Sequence, residues 1–331
     1  MKIIYSQRHL SHSPLYEIFN GHADPHAEVP SRVENIKKAL ITNGYKISSL
    51  SKTAPISLIK RVHDKKYLEF LKKGSPYSYP SVFPYNDLNK NKSLTNELAN
   101  HGKYSFDLYT PMLKGVFETA LESASLAYEL ADDLLHEKIK IGYALCRPPG
   151  HHAEKAKMGG YCYLNNSAIA AEHLSCHGKV AILDVDFHHG NGTQNIFYDR
   201  ADVLTISIHA DPEWKFPYFT GFSHETGIGK GKNKNFNFPM KKGTTDSQFQ
   251  IILEKAIKKI TDFEPKYLVV PLGLDTHKVD PIGGFKLTTN YYKKMARTIN
   301  FLKLPALIVQ EGGYNTSLLG NNVVSFLNGF I

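Results

Sequence analysis

KVAILDVDFHHGNG, residues 179–192, opens on a continuous apolar run, Val180-Ala181-Ile182-Leu183, and then changes abruptly to carboxylates, imidazoles and glycines. A strand with one wet face alternates apolar and polar residues; an unbroken run suits a parallel strand buried on both faces. Residues 267–272 (YLVVPL) and 306–310 (ALIVQ) have the same character, and shorter apolar runs at 2–6, 142–146 and 203–208 complete a set of predicted strands. Between them lie segments of helical periodicity. Ser31-x-x-Glu34 reads as a capping box opening a helix that Gly44 stops, and Asp64 reads as the cap of another, with Tyr67, Leu68 and Leu71 on one face. Further helices are expected over 115–137, 166–176, 246–260 and 289–302. Strands alternating with helices imply one open parallel sheet covered on both sides, hence a single α/β domain spanning 1–331.

Residues 74–111 resist that pattern. Their core, SPYSYPSVFPYNDLNKNKS, is rich in Pro, Ser, Asn and Tyr. A loop this long is usually functional or disordered, and Tyr77, Tyr79, Phe83 and Tyr85 favour a surface excursion that packs on something, such as a second copy of the chain. Gly227-Ile-Gly-Lys-Gly231 faintly suggests a phosphate loop but lacks the spacing and the strand-to-helix context, so it reads as a turn.

Composition narrows the function. No stretch approaches the ~20 apolar residues of a membrane span, and the first six residues do not make a signal-peptide core, so a cytoplasmic enzyme without membrane partners is the expectation. The formal charge is +9, but lysines are scattered in pairs such as Lys37-Lys38 and Lys258-Lys259, as on solvated helix faces, which argues against nucleic acid as the partner. The three cysteines, Cys146, Cys162 and Cys176, have no CxxC spacing and are read as small buried residues.

In open α/β sheets ligands bind beyond the carboxyl ends of the strands, and polar clusters sit at those ends here. After the 142–146 strand, Pro148-Pro149-Gly150 stiffens and turns the chain to present His151 and His152. After the 179–185 strand, Asp184, Asp186 and His188 share one face, since extended side chains alternate. Two carboxylates and an imidazole would repel and desolvate each other without a cation, and such O/N donors suit Zn²⁺ or Fe²⁺. Asp275, after 267–272, can supply a third ligand and leave a coordination position open. Glu311-Gly-Gly-Tyr314 follows the last strand, with a tyrosine projecting from a glycine turn.

Together RPPGHHA (147–153), DVDFHHGNGT (184–193), LGLDT (272–276) and EGGY (311–314) closely resemble the histone deacetylase superfamily. Asn191 in HHGNGTQ is similar to the class II branch. Glu17, FHHGNGTQNIFYDR and the tyrosine-rich insertion resemble the bacterial acetylpolyamine amidohydrolases. The resemblance implies the arginase-deacetylase fold, an eight-stranded, mostly parallel sheet sandwiched by helices. It implies that Asp186, His188 and Asp275 hold zinc and that His152 is the general base. His151 would be its neighbour, paired with Asp184, while Asn191 orients His152 and Tyr314 hydrogen-bonds the substrate carbonyl. Gly160, Tyr161 and Phe216 would line a tunnel for an alkyl chain, and Glu17 would meet the far ammonium of a polyamine. Asp184 and Ser207, with backbone at Asp186, His188 and Ile208, match an inner monovalent-cation site, filled by structural K⁺. A homodimer in which 74–111 helps build the active-site mouth is implied as well.

Asp184 beside His151 but neutral Asn191 beside His152 should make His151 the more readily charged ring. The expected activity is zinc-dependent deacetylation of acetylated polyamines or similar small cationic acetylamines. A protein acetyl-lysine deacetylase of the same mechanism is the first alternative, and a catalytically silent acyl-amine or nucleic-acid binding module the second. Lys278 would put a positive charge near the rim, position 282 is Ile rather than an acid, and Asp87, Glu97 and Asp107 are the acids available in the insertion.

Overall fold

The computed structural model describes residues 1–19, 21–75, 78–79 and 96–331. In chain order the elements are β1 (Lys2–Tyr5), β2 (Tyr16–Phe19), β3 (His22–Pro25), α1 (Ser31–Thr42), β4 (Ile47–Ser49), α2 (Ile56–Val62), α3 (Lys65–Lys73) and α4 (Glu97–Tyr104). There follow α5 (Val116–Leu135), β5 (Ile141–Ala144), α6 (Asn166–Ser175), β6 (Val180–Asp184), α7 (Asn191–Phe197), β7 (Val203–Ala210) and β8 (Asn235–Met240). The chain closes with α8 (Asp246–Phe263), β9 (Tyr267–Leu272), α9 (Thr289–Asn300), β10 (Ala306–Gln310) and α10 (Thr316–Leu327). Eight strands form one sheet in the order β4-β1-β5-β10-β9-β6-β7-β8, and every pairing in it is parallel.

The unbroken apolar runs follow from packing on both faces. Ala181 and Leu183 of β6, Leu268 and Val270 of β9 and Ile308 of β10 face a core shared with Ile36 of α1, Phe249 of α8, Met295 of α9 and Phe326 of α10. Their sequence neighbours Val180, Ile182, Val269, Leu307 and Val309 point the other way, into a core with Ile59 of α2, Leu130 of α5 and Ile169 of α6. β6 and β9, which feed both cores, carry no charged residue before their ends, and the first of the clustered carboxylates, Asp184, is the last residue of β6.

Six of the eight strands coincide with those expected. The two others are edges, where the sequence signal is weakest: β4 is three residues long, and β8 alternates in burial and carries Pro239. β2 and β3 form a separate antiparallel pair, with Glu17 opposite Asp24.

Asp64 caps α3 as expected, accepting from the amides of Lys66 and Tyr67. The capping box at Ser31 does not form. Ser31 is the first helical residue, and the Glu34 carboxylate instead accepts from the Tyr5 hydroxyl at 2.6 Å and pairs with His9 at 3.0 Å. The excursion over 74–111 is not structureless, because α4 lies within it with His101 and Tyr104 buried. Tyr77, Phe83, Tyr85 and Asp87 lie outside the described residues. Cys146 and Cys162 are buried, whereas Cys176, just past the end of α6, is exposed. Gly229–Gly231 forms a single turn of 3-10 helix, in keeping with the turn reading. Among the described residues no helix is long and apolar enough to cross a membrane.

Ile182 is 1% exposed at the middle of the sheet. Ile182→Ala is expected to lower unfolding stability by about 2–5 kcal/mol, measured by urea denaturation. A loss under about 1 kcal/mol would mean that this strand is not packed on both faces.

Candidate active site

All strands of the main sheet run parallel, so the segments leaving β5, β6, β9 and β10 emerge on one edge and converge there. Asp186 and His188 follow β6 and Asp275 follows β9; one donor atom from each lies within 4.8 Å of the others, and all three residues are buried. The His188 ring nitrogen Nδ1 stands 3.0 Å from Asp275 Oδ2 and 3.4 Å from Asp186 Oδ1. Burial, and then the Asp186 carboxylate, push Asp275 up to about 6. A site that makes one of its own acids hard to ionise is short of positive charge, and two carboxylates with an imidazole are a donor set for a divalent cation.

The backbone is shaped around these groups. A Cβ on Gly273 would sit 1.9 Å from Asp186 Oδ2, and one on Gly312 would sit 2.4 Å from Asp275 Oδ2. The Gly312 amide donates to Asp186 Oδ2 at 2.8 Å, the His188 amide to Asp186 Oδ1 at 2.8 Å and the Phe187 amide to Asp275 Oδ1 at 3.1 Å. These loops therefore fix the carboxylates as well as supply them.

The His151 and His152 rings lie beside this group, tilted by 46° with centroids 4.0 Å apart. His151 Nδ1 meets Asp184 Oδ2 at 2.9 Å. Burial opposes a charge on His151, but Asp186 and Asp184 outweigh it and raise the ring to about 10. Burial, then the adjacent His151 and His188 rings, hold His152 well below the usual histidine value. The two rings are thus pushed apart in the order expected. Asn191 donates through its amide nitrogen to Glu154 Oε1 at 2.9 Å, so its oxygen faces His152 Nδ1, 2.7 Å away. An acceptor there requires the proton on Nδ1 and leaves Nε2 with its lone pair. The Glu311 carboxylate accepts from the Gly150 and His151 amides at 2.7 and 3.1 Å, which locks the histidine loop to the turn after β10.

Tyr314 completes that turn. Its amide donates to Asp280 Oδ2 at 2.6 Å, and burial holds its phenol well above the ordinary value, so the O–H remains a donor. Beneath it Arg32 donates to the carbonyls of Gly313 and Glu311 at 2.5 and 2.6 Å, with its guanidinium 4.8 Å from the Tyr314 ring centroid. Glu28 accepts from both Arg32 and Arg147, at 2.6 and 2.8 Å. Burial alone would raise Glu28, yet Arg147 and Arg32 hold it down to about 2.

A cleft of about 200 Å³ leads to His152, His188 and Tyr314. Gly160, Tyr161 and Phe216 line it, as expected, and Glu17 lines it as a buried carboxylate rather than a solvated loop acid. Glu17 accepts from the Tyr161 hydroxyl and, at 3.4 Å, from the Ala27 amide; burial, then Asp107 and Asp24, raise its carboxyl. The Phe216 ring stands edge-on to His152 at 5.0 Å, and the Tyr161 and Tyr314 centroids are 5.9 Å apart. Gly160 has φ +57°, and a Cβ there would meet the His152 ring at 2.1 Å. Asp184 lies opposite Ser207 in the β6–β7 register, with Ile208 next along β7, and the Ser207 hydroxyl is 2.7 Å from His209 Nδ1.

Several cleft residues escape the sequence reading. Tyr109 joins the two aromatic walls, 5.8 Å from Tyr161 and 5.6 Å from Phe216. Phe19, Lys215 and Tyr218 also line the cleft, whereas Lys278 does not. Of the acids in the 74–111 segment, Glu97 pairs with Lys73 at 2.9 Å and Asp107 ties down Gly160, Thr110 and Tyr109 through their amides. Arg32 and Glu28 carried a signal of their own, a charged i, i+4 pair whose arginine adjoins the apolar stripe Val33, Ile36, Leu40.

The histone deacetylase domain profile matches residues 26–330. The acetylpolyamine amidohydrolase of Mycoplana ramosa is 39% identical, covering 99% of this chain and 99% of its own length. Acetylpolyamine amidohydrolase 2 of Pseudomonas aeruginosa is 38% identical, covering 100% of this chain and 98% of its own. The crystal structure of an acetylpolyamine aminohydrolase from Burkholderia pseudomallei superposes with a TM-score of 0.94 at 34% identity, covering 100% of this chain and 98% of that one.

Gly273→Ala is expected to weaken Zn²⁺ binding by at least about 10-fold, measured by calorimetric titration of the metal-free protein, because the methyl displaces Asp186. Unchanged affinity would remove Asp186 from the donor set. Glu28→Leu leaves two buried guanidinium groups without their carboxylate and is expected to cost about 3–5 kcal/mol of stability by chemical denaturation.

Proposed function

The chain belongs to the histone deacetylase family, and on that footing we propose that it hydrolyses the amide of acetylated polyamines or similar small cationic acetylamines, releasing acetate and the free amine. The observation that carries the proposal is the pairing of one buried Asp186/His188/Asp275 donor set with one aromatic cleft that also holds a buried carboxylate, Glu17. Relatives that span the whole chain bear the acetylpolyamine amidohydrolase name.

Asp186, His188 and Asp275 would hold zinc, with ferrous iron as the alternative metal. Zinc, when bound, polarises an amide carbonyl and acidifies water. His152 accepts the proton of the attacking water at Nε2, since Asn191 keeps Nδ1 protonated. The charge this places on the ring adjoins His151, already favoured as a cation by Asp184 and Asp186. His152 therefore holds its proton weakly and can pass it to the leaving amine, a general acid–base role typically contributing about 10²–10⁴ in rate. Tyr314 donates its hydroxyl to the substrate oxygen, and that bond strengthens as negative charge builds there. Gly160 lets the chain pass close to His152, while Tyr161 and Phe216 flank the methylene chain. The free ammonium at the far end of the substrate would meet Glu17.

Finer points belong to the same proposal. A structural K⁺ would rest against Asp184 and Ser207, with the backbone of Asp186, His188 and Ile208. The protein would act in the cytoplasm as a homodimer, with residues 74–111 at the mouth of the active site. The single domain would span residues 1–331.

Steady-state rates of the zinc-loaded protein on N-acetylputrescine, N-acetylspermidine and an acetyl-lysine peptide test the reading. The small amines are expected to exceed the peptide by about 10-fold or more in kcat/KM, and Tyr314→Phe to lose about 10²–10³ in kcat. A peptide turned over faster than both amines would make this a protein deacetylase instead.

A further inference from the structure

The cleft carries a second charged side chain that the proposed chemistry does not use. Among the described residues that line it, Glu17 is the only carboxylate and Lys215 the only lysine or arginine. They belong to different parts of the wall. Glu17 sits on the β2–β3 hairpin against Tyr161, whereas Lys215 follows β7 and places its Nζ 5.6 Å from the ring centroid of Phe187, the residue between Asp186 and His188. Among the described residues Lys215 has no ion-pair partner. Burial lowers its pKa, Asp275 and Asp280 act to raise it, and Lys242 adds to the lowering. The result is a half-buried lysine that no salt bridge neutralises, beside the path to the donor set.

Charge matching follows from this arrangement. One carboxylate can compensate one substrate ammonium. Every further ammonium brought into the cleft meets the field of Lys215, in a place where burial weakens screening by solvent. The overall charge of +9 acts in the same direction at longer range. Discrimination by a like charge is a recognised route to specificity, since it penalises the wrong partner without tightening the right one.

We propose that Lys215 is a specificity-determining residue that limits the number of free ammonium groups a substrate can carry, so that a monoacetylated diamine is preferred over a longer acetylated polyamine. The proposal rests on the acetylamine reading above and names the subclass of substrate within it.

The test compares the zinc-loaded wild type with Lys215→Gln and Lys215→Arg on N-acetylputrescine, which has one free amine, and N1-acetylspermine, which has three. The wild type is expected to favour acetylputrescine in kcat/KM. Lys215→Gln should shrink that preference by about 10-fold, chiefly through KM for the longer amine, and Lys215→Arg should keep it. Raising the salt concentration should shrink the wild-type preference more than that of Lys215→Gln, which retains only the long-range part from the overall charge. Turnover of both amines with a ratio that neither Lys215→Gln nor salt changes would overturn the role of Lys215 alone. No turnover of either amine, together with turnover of an acetyl-lysine peptide, would overturn the acetylamine reading and this proposal with it.

Discussion

Three carboxylates, Asp184, Asp186 and Asp275, are buried together where β6 and β9 leave the sheet, and among the described residues the His151 and His188 rings are the ion-pair partners that touch them. Taking charge out of water is expensive unless it is paired, so this concentration governs the neighbourhood. It accounts for backbone amides turned inward at Asp186, Phe187, His188 and Gly312, and for glycines at 273 and 312, where no side chain fits. It also separates the two adjacent histidine rings. His151 takes the carboxylates and His152 the neutral Asn191, so adjacent histidines of one dipeptide have opposite protonation preferences. A divalent cation within the donor set is the compensation that such a site is built to receive.

Support for the His152 and Tyr314 side chains comes from behind. The buried Arg32–Glu28–Arg147 cluster joins the segment after the hairpin, helix α1, the histidine loop and the turn that carries Tyr314. Glu311 adds a second tie between that turn and the Gly150–His151 backbone. Segments far apart in sequence are thereby held as one wall, and the tyrosine hydroxyl and the His152 ring face the same cleft. The geometry relies on buried charge pairs whose members each depend on the others, which is why removal of a single partner is damaging.

Most of this was legible in the sequence because the constraints are local. Strands β6, β9 and β10 feed two cores and are apolar up to their last residues, so they announced themselves, and the polar residues at and directly after their ends marked the site edge. Asp186, His188, Asp275, His151, His152, Asn191 and Tyr314 all fall within eight residues after a strand end. What escaped depends on long-range or edge features. β4 is too short and β8 too mixed to be distinguished from loops. Ser31 and Glu34 satisfied the spacing of a capping box, but the Tyr5 and His9 side chains, brought in by the sheet, claim Glu34 first. Tyr109 lies far upstream of Asp186 and Lys215 lies between His188 and Asp275 in the chain, so both reach the cleft through tertiary packing and no spacing rule could point to them. Cys176 is exposed at the C-cap of α6, where residue type alone suggested burial.

The most direct measurement is a crystal structure of the zinc-loaded His152→Ala variant soaked with N-acetylputrescine, with anomalous scattering recorded at the zinc edge. A single strong zinc peak bounded by Asp186, His188 and Asp275 is expected, with the acetyl carbonyl within hydrogen-bond reach of Tyr314 and the free ammonium against Glu17. Zinc bound elsewhere, or a ligand whose ammonium lies away from Glu17, would contradict the coupling of metal, cleft and carboxylate on which the proposed function depends.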